Sequence, residues 1–449
     1  MPSRSRSVSA ATAPYHLYLL GIVLALSLYG VVMVITSSKM TSLSTYGSPF
    51  YIAVKHAIIL VVSLIMGYVI IRVLTKWERM NVIAPALYIA TLILLVLVLI
   101  PGIGSYVNGA RSWITLGPLA VQPTEVARMT AIIATAHFIT TYRDTYKPLT
   151  IITVAWAPIL ILSLLEKDLG MTLMLGACML CMMIAAGLSL WIVAGASIIV
   201  GVVAAILIAF TGFRSQRILI FLQQFAGLRY DTDGGGYQFH QGVLALVRGG
   251  FFGTGLGQGE ASFLYLPEGS NDFILAIIGE ELGFMGVLIV ILLYAGMGWT
   301  VISALSHRTF PEDKRLILVT GTFSLLFQAM INIGYVTGLL PVTGLQLPLI
   351  SAGGTSMMTT LGLLAVMYSC LMPDKSSGQG HWALKRHTPK SSAGKRSNSR
   401  AKVQQQHKPA PWPRSRQRAP YVSPRATHTR QPRSTARKMY NSSIRPRPR

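Results

Sequence analysis

Charge is what this chain has least of. Of its 449 residues only 12% are charged while 52% are hydrophobic, and the mean hydropathy is +0.53, a balance that excludes an ordinary soluble domain. Acid is scarcer than base, with 15 Asp plus Glu against 39 Lys plus Arg, so every carboxyl set in an apolar run stands out. Cysteine is scarcer still. Cys178, Cys181 and Cys370 all lie inside apolar runs, which excludes a disulfide framework. The Cys178-x-x-Cys181 pair has no His or further Cys beside it, so zinc and redox patterns are excluded as well, and the thiols read as small apolar packing residues.

What is present is a series of apolar runs long enough to cross a hydrocarbon core of about 30 Å, roughly 17 to 25 residues each. They fall near 16–37, 52–73, 83–101, 123–141, 148–165, 169–190, 191–212, 272–304, 315–337 and 351–372. The fold class expected is an all-α polytopic membrane protein of about ten transmembrane helices, with a large extracytoplasmic loop, about 212–271, between spans 7 and 8. The runs 169–190 and 191–212 share one nearly charge-free stretch at Gly187-Leu188-Ser189 and can be divided in other ways; loss of one would invert everything downstream. Charge in the connections supports an even count. Arg4 and Arg6, then Arg72, Lys76 and Arg79, then Arg143 and Lys147, then Arg308, Lys314 and Arg315 alternate with connections whose main bases are Lys39, Arg111 and Lys167, which the positive-inside rule reads as both termini cytoplasmic. The start resembles a signal peptide, but its apolar run is long and lacks a small-x-small cleavage site, so an uncleaved first span is expected.

The net charge of +24 belongs mostly to one end: 20 of the bases and one of the acids lie from Asp374 onward, leaving +5 for the rest. Residues 1–15 read as a cytoplasmic segment, 16–372 as the membrane domain, and 373–449, rich in Arg, Pro, Ser and Gln, as a disordered cytoplasmic tail that buries too little apolar area to fold. A polybasic tail attracts anionic lipid head groups at about 1 kcal/mol per base or docks a cytoplasmic division or scaffold protein. No nucleic-acid-binding fold accompanies the charge, so no specific nucleic-acid partner is expected.

Chemistry is expected at the lip of the eighth span. Leu266-Pro267-Glu268-Gly269-Ser270-Asn271-Asp272-Phe273 places Glu268 and Asp272 where water meets hydrocarbon, and Glu280 and Glu281 lie about 12 Å deeper on the same helix. Buried acids in a span are a functional hypothesis by default; a structural pairing for one of the two is the plainer reading. The preceding loop offers Arg214, Arg217, Arg229, Tyr237, Gln238, His240, Gln241 and Arg248, then the run Gly249 to Gly257. Those bases and glycines either surround a phosphate or serve tight turns and close helix packing, and the sequence leaves both open. Gln122-Pro123-Thr124-Glu125-Val126-Ala127-Arg128 reads as a helix start with Glu125 and Arg128 on one face. Glu166-Lys167-Asp168 is a charged hinge, solvated or part of a polar cavity. Arg111 and Trp113 sit at an interface, and Gln328 and Asn332, four apart, read first as interhelical hydrogen-bonding groups. Ser351 to Ser356 opens the last span with small residues.

In order, these segments resemble the SEDS proteins (shape, elongation, division and sporulation), over nearly all of residues 16–372. The resemblance is carried by Gly109-Ala110-Arg111-Ser112-Trp113-Ile114, Gln122 to Arg128, Asp168-Leu169-Gly170, Tyr237-Gln238, Gly255-Leu256-Gly257, Leu266-Pro267-Glu268, Asp272-Phe273-Ile274, Gly279-Glu280-Glu281-Leu282-Gly283 and the block Gly338 to Ser356 with Pro341 and Thr343. It implies a peptidoglycan glycosyltransferase that polymerises lipid II into glycan strands at the outer face of the cytoplasmic membrane, with undecaprenyl diphosphate as leaving group. It further implies Asp272 as catalytic carboxylate, taking the proton of the attacking sugar hydroxyl. Arg111, Arg214, Arg217, Arg248 or a divalent cation (Mg2+ or Mn2+) would meet the diphosphate. Substrate contacts are expected among Arg111, Glu125, Arg128, Asp168, Tyr237, Gln238, Arg248, Glu268, Glu280, Glu281, Gln328, Asn332, Pro341, Thr343, Ser351 and Ser356.

The chain departs from the family pattern where it has Ser270-Asn271 for His-Thr, Lys167 for Pro, Arg128 for Lys and Ala352 for Tyr, and the lysine expected before Leu-Pro-Glu is replaced near Ser262. Arg217-Ile218-Leu219, Phe221-Leu222, Tyr265 and the long tail resemble the division branch of the family, FtsW, more than the elongation branch, RodA. That implies a class B penicillin-binding protein and the divisome as partners at the septum. A RodA-like elongation polymerase, a lipid II flippase and a silent scaffold are the other readings. The flippase needs polar groups through the midplane, the polymerase needs Asp272 at the lip, and the scaffold makes Asp272 dispensable.

Overall fold

The computed structural model describes residues 14–373 apart from 75, 108, 118, 210–211, 229–235 and 264. The N-terminal segment before 14, Arg229 and the basic tail therefore lie outside the described residues. Ten helices occupy the ten apolar runs: α1 Tyr15–Tyr46, α2 Tyr51–Val73, α3 Met80–Leu99, α4 Pro123–Thr141, α5 Pro148–Leu165, α6 Leu169–Ala185, α7 Leu190–Ala209, α10 Ile274–His307, α11 Glu312–Val336 and α12 Gly354–Leu371. Between α7 and α10 lie two more, α8 Gly212–Phe225 and α9 Tyr237–Gly249. Seven of the twelve are long and apolar enough to cross a membrane by length and composition. Helix α6 and the stretch Leu190–Ile206 of α7 are shorter apolar segments, and α4 is a 19-residue helix that buries Glu125 and Arg128.

Local chemistry explains the boundaries. Pro123 and Pro148 each open a helix at its first position, where a missing N–H costs nothing. Asp168 caps α6, its Oδ1 accepting the Met171 N–H at 3.1 Å. The charge-free stretch is divided at Gly187, which adopts φ +79, and the Leu188 N–H turns back to Met183 O at 3.1 Å, a glycine-terminated helix end. Several expected edges move. Helix α1 runs on to Tyr46 and takes in Lys39, because nothing between 37 and 46 breaks it before Gly47 at φ +72. Helix α10 begins at Ile274, so Asp272 lies in the loop ahead of it.

Two features were absent from the expected architecture. A three-stranded antiparallel sheet, β1 Gly104–Val107, β2 Ala110–Leu116 and β3 Leu119–Val121, fills the connection between α3 and α4 in the order β1-β2-β3. Its turns use Gly109 at φ +82 and Gly117 at φ +61. The second feature is a break in α10, at Gly283, with φ 67 and ψ −165. The backbone groups freed there are met by the glycine-rich loop: Thr254 N–H donates to Glu280 O at 2.9 Å, Gly255 N–H to Glu281 O at 3.0 Å, and Phe284 N–H to Gly250 O at 2.9 Å. That satisfies groups for which hydrocarbon offers no substitute.

The seam decides what the glycines do. A Cβ on Gly249 would lie 1.8 Å from Gly279 O, and one on Gly253 would lie 2.2 Å from Glu281 O. These two positions serve backbone-to-backbone packing.

Hydrogen bonds show which connections share an end of the bundle. At one end the sheet meets the hinge and the start of α12, with Arg111 N–H to Glu166 O at 2.9 Å and Thr355 Oγ1 to Ala120 O at 2.8 Å. At the other, Trp77 Nε1 donates to Asp313 Oδ2 at 2.6 Å, Arg143 pairs with Glu312, and Arg308 donates to Leu371 O at 3.2 Å. The base-rich connections and the sheet thus lie at opposite ends.

Candidate active site

Asp272 is held by its backbone and not by its carboxyl. Its carbonyl oxygen accepts from Asn332 Nδ2 at 2.9 Å and from Tyr335 OH at 2.8 Å. The same two donors reach Leu345 O at 2.8 Å and 2.7 Å, so one pair of α11 side chains ties the lip of α10 to the loop before α12. Ser351 Oγ donates to Asn271 O at 2.7 Å, and Ala352 N–H donates to Ser270 O at 3.0 Å. Phe273, fully buried, packs on Tyr335 with ring centroids 5.6 Å apart. Glu268 turns the chain at φ +53, and its Oε2 accepts from Asn271 Nδ2 at 2.7 Å. Asn332 and Ser351, expected among the substrate contacts, thus make hydrogen bonds to the loop that carries Asp272.

The Asp272 carboxyl points at Gly344, where an added Cβ would come within 3.3 Å of Oδ2. Its proton affinity is pushed up to about 8, first by burial, then by the neighbouring charge of Glu268 and, more weakly, of Asp168; Arg217 opposes this. A carboxyl in that range can hold and release a proton near neutrality.

Arg217, whose charge acts on Asp272, lines a recess between α8, α9 and the segment after α11 together with Phe221, Gln224, Gln238, Phe239, Leu340, Pro341 and Val342. Arg217 donates to Val342 O at 3.3 Å and Gln238 to Pro267 O at 3.2 Å. It joins a cation and two amides to an apolar wall.

A second polar group lies in the interior, between α4, α11 and α12. Arg128, 1% exposed, donates to Gln328 Oε1; Gln328 Nε2 donates to Gln346 O at 2.8 Å; and Gln122 Nε2 donates to Asp168 Oδ2 at 2.8 Å. Ser356 stands beside Glu125. Glu125 Oε2, Arg128 Nε, Thr343 Oγ1 and Gln346 Oε1 are buried without a hydrogen-bond partner. Buried polar atoms left unpaired cost about 1–3 kcal/mol each, so this group is one that ordered water or a polar ligand group would complete.

The remaining expected residues sit elsewhere. Arg111 donates to Leu99 O at 3.1 Å, next to buried Glu166, whose carboxyl is raised to about 9 by burial and by Asp168. Arg248 pairs with Glu260 at 3.3 Å and Glu280 at 3.9 Å, so its charge is met within the protein. Glu280 and Glu281 are buried at the break in α10. Tyr237 opens α9, and the Arg214 side chain lies outside the described residues. Tyr335, Gln346 and Gly344 were not among the expected contacts, and Gln122 was read only as part of a helix start. Only Tyr335 carried a usable signal, three residues from Asn332 and so on the same helix face.

The family model of FtsW, RodA and SpoVE, described as cell cycle proteins, matches residues 16–375, every helix of the bundle. The chain belongs to this family. Among FtsW/RodA/SpoVE relatives, the probable peptidoglycan glycosyltransferase FtsW of Mycobacterium tuberculosis is 39% identical over 357 residues, 79% of this chain and 67% of that protein. The one of Legionella pneumophila is 34% identical over 378 residues, 81% and 92%. A solved chain from a peptidoglycan synthase complex, described for its structural coordination of polymerization and crosslinking, matches at TM-score 0.60 and 26% identity over 79% of this chain and 96% of its own. Thermus thermophilus RodA shares the fold at TM-score 0.56 over 79% and 95%.

Proposed function

We propose that this protein is a peptidoglycan glycosyltransferase that joins lipid II units into glycan strands, with Asp272 as the base. The observation that carries this reading is the setting of the Asp272 carboxyl: two α11 donors hold its own carbonyl, two more hold the carbonyls of Asn271 and Ser270, burial raises its proton affinity to about 8, and Arg217 of the recess acts on it. The acceptor sugar hydroxyl attacks the anomeric carbon of the donor. The new C–O bond forms as the bond to diphosphate breaks, the diphosphate leaves with the electron pair, and Asp272 takes the hydroxyl proton. Arg217 is the described cation whose charge acts on Asp272, and it is assigned to the developing diphosphate charge. Among the described residues no group of three His, Cys, Asp or Glu side chains is gathered to hold a metal ion.

The finer assignments follow from the same reading. The Asp272 end faces outward in the bacterial cytoplasmic (inner) membrane and the base-rich end faces the cytoplasm, as the positive-inside rule requires. The identity with FtsW relatives favours septal wall synthesis beside a class B penicillin-binding protein and the divisome.

The test supplies labelled lipid II to the purified protein with its cognate transpeptidase and compares native chain with Asp272→Ala. Glycan ladders from native protein alone are expected. Ladders from both defeat the assignment; ladders from neither, with lipid II crossing vesicles regardless of residue 272, favour the flippase.

A further inference from the structure

The carboxyl of Glu280 has no place in the chemistry above, yet it is fully buried and heavily used. Its Oε1 accepts the Glu260 N–H at 3.1 Å and its Oε2 the Ala261 N–H at 3.0 Å. Arg248 of α9 reaches the same carboxyl at 3.9 Å and Glu260 at 3.3 Å. Both N–H groups belong to the short turn Glu260–Ser262 that begins the approach to the catalytic loop. From there Leu266 N–H bonds back to Ala261 O at 3.2 Å, Pro267 O is held by Gln238, and the chain turns at Glu268 into Asp272.

The hydrogen bonds of Glu280 therefore close residues 260–280 into a ring. Asp272 sits at its top, and the first segment of α10, from Ile274 to the break at Gly283, forms one side. That segment is pinned at its foot too, by Thr254 and Gly255 on the carbonyls of Glu280 and Glu281. The turn approaches so closely that a Cβ on Gly259 would lie 2.7 Å from Glu280 Oε2.

We propose that Glu280 is a positioning residue for Asp272, clamping the 260–271 loop to the foot of the broken helix so that the carboxyl above is presented at fixed height. The proposal rests on the reading of Asp272 as the base. Two N–H donors and a guanidinium converge on one side chain, and only a carboxyl offers acceptors to all three; an amide turns one acceptor into a donor facing an N–H.

The experiment uses full-length protein with its transpeptidase and measures lipid II polymerisation, thermal unfolding and amide hydrogen exchange for Glu280→Gln, Glu280→Ala, Gly259→Ala and Gly259→Ala/Glu280→Ala. Expected for Glu280→Gln is a kcat about tenfold lower (some 1.4 kcal/mol of barrier), a KM within twofold of native and an unfolding midpoint close to native. Exchange at the amides of 260 and 261 should rise in Glu280→Ala. Gly259→Ala should match the loss in Glu280→Gln and add much less in the Glu280→Ala background, since the clashing oxygen is gone and only the 3.2 Å contact with Glu281 Cγ remains. Full kcat in Glu280→Gln, unchanged exchange at 260 and 261, or a kcat loss that tracks the unfolding midpoint across all four variants would overturn the proposal. Asp272→Asn is run in parallel: if it polymerises, the catalytic reading fails, and the exchange data still decide whether the clamp exists.

Discussion

Asp272 illustrates how a side chain can be left available because its own backbone carries the structural burden. Asn332 and Tyr335 grip the carbonyl, and the carboxyl is free to exchange a proton. Its neighbours pull in opposite directions, which gives a signed test. Raised to about 8, the group is neutral below that pH and a base above it, so kcat/KM should climb as pH rises through that range. Arg217→Ala removes the opposing cation and should move the limb alkaline and raise KM; Glu268→Gln removes a like charge and should move it acid. Identical profiles for both variants would rule out this electrostatic picture. Redundant donors make a second prediction. Tyr335→Phe leaves Asn332 on both carbonyls and should cost less than about 1 kcal/mol of stability, whereas the double change with Asn332→Ala should cost more than the two separately, a non-additivity that a double-mutant cycle in unfolding measurements reads directly.

At the scale of elements, the broken helix organises this half of the molecule. Gly249 and Gly253 let one backbone lie against another where α10 opens, so Gly253→Ala should lower the yield of folded protein sharply. Gly257→Ala meets open space and has only its φ of +72 to contend with, a cost of about 1–2 kcal/mol. Size-exclusion profiles of the two variants in detergent separate contact from conformational strain. The sequence showed the glycines but not their partner, because the register between residues 249–255 and 279–285 is a tertiary fact. Arg248 was illegible for the same reason: as a lone base beside glycines it suited a phosphate, and only the fold brings Glu260 and Glu280 to it.

Across the whole molecule, the two ends are chemically distinct. The sheet, the hinge and Asp272 gather at one, and Trp77, Arg143, Arg308 and Asp313 interlock at the other. Their placement across a membrane can be checked by single cysteines at Tyr106 and Asp144, both exposed, in a background with Cys181 replaced. An impermeant thiol reagent added outside sealed spheroplasts should label position 106 and leave 144 untouched until the cells are opened; the reverse pattern would invert the bundle and remove Asp272 from the outer face.

Composition and spacing were enough to determine the number and order of apolar helices, the starts at Pro123 and Pro148, and the acid at the lip, since each depends on residues adjacent in the chain. Tertiary structure alone decided which cation acts on Asp272, that Asn332 and Ser351 bind the loop, that Gly283 splits α10, and that Glu280 holds residues 260 and 261. Those arrangements pair groups 19 to 80 positions apart, and a hydrogen bond or clash across such distances has no signature in local sequence.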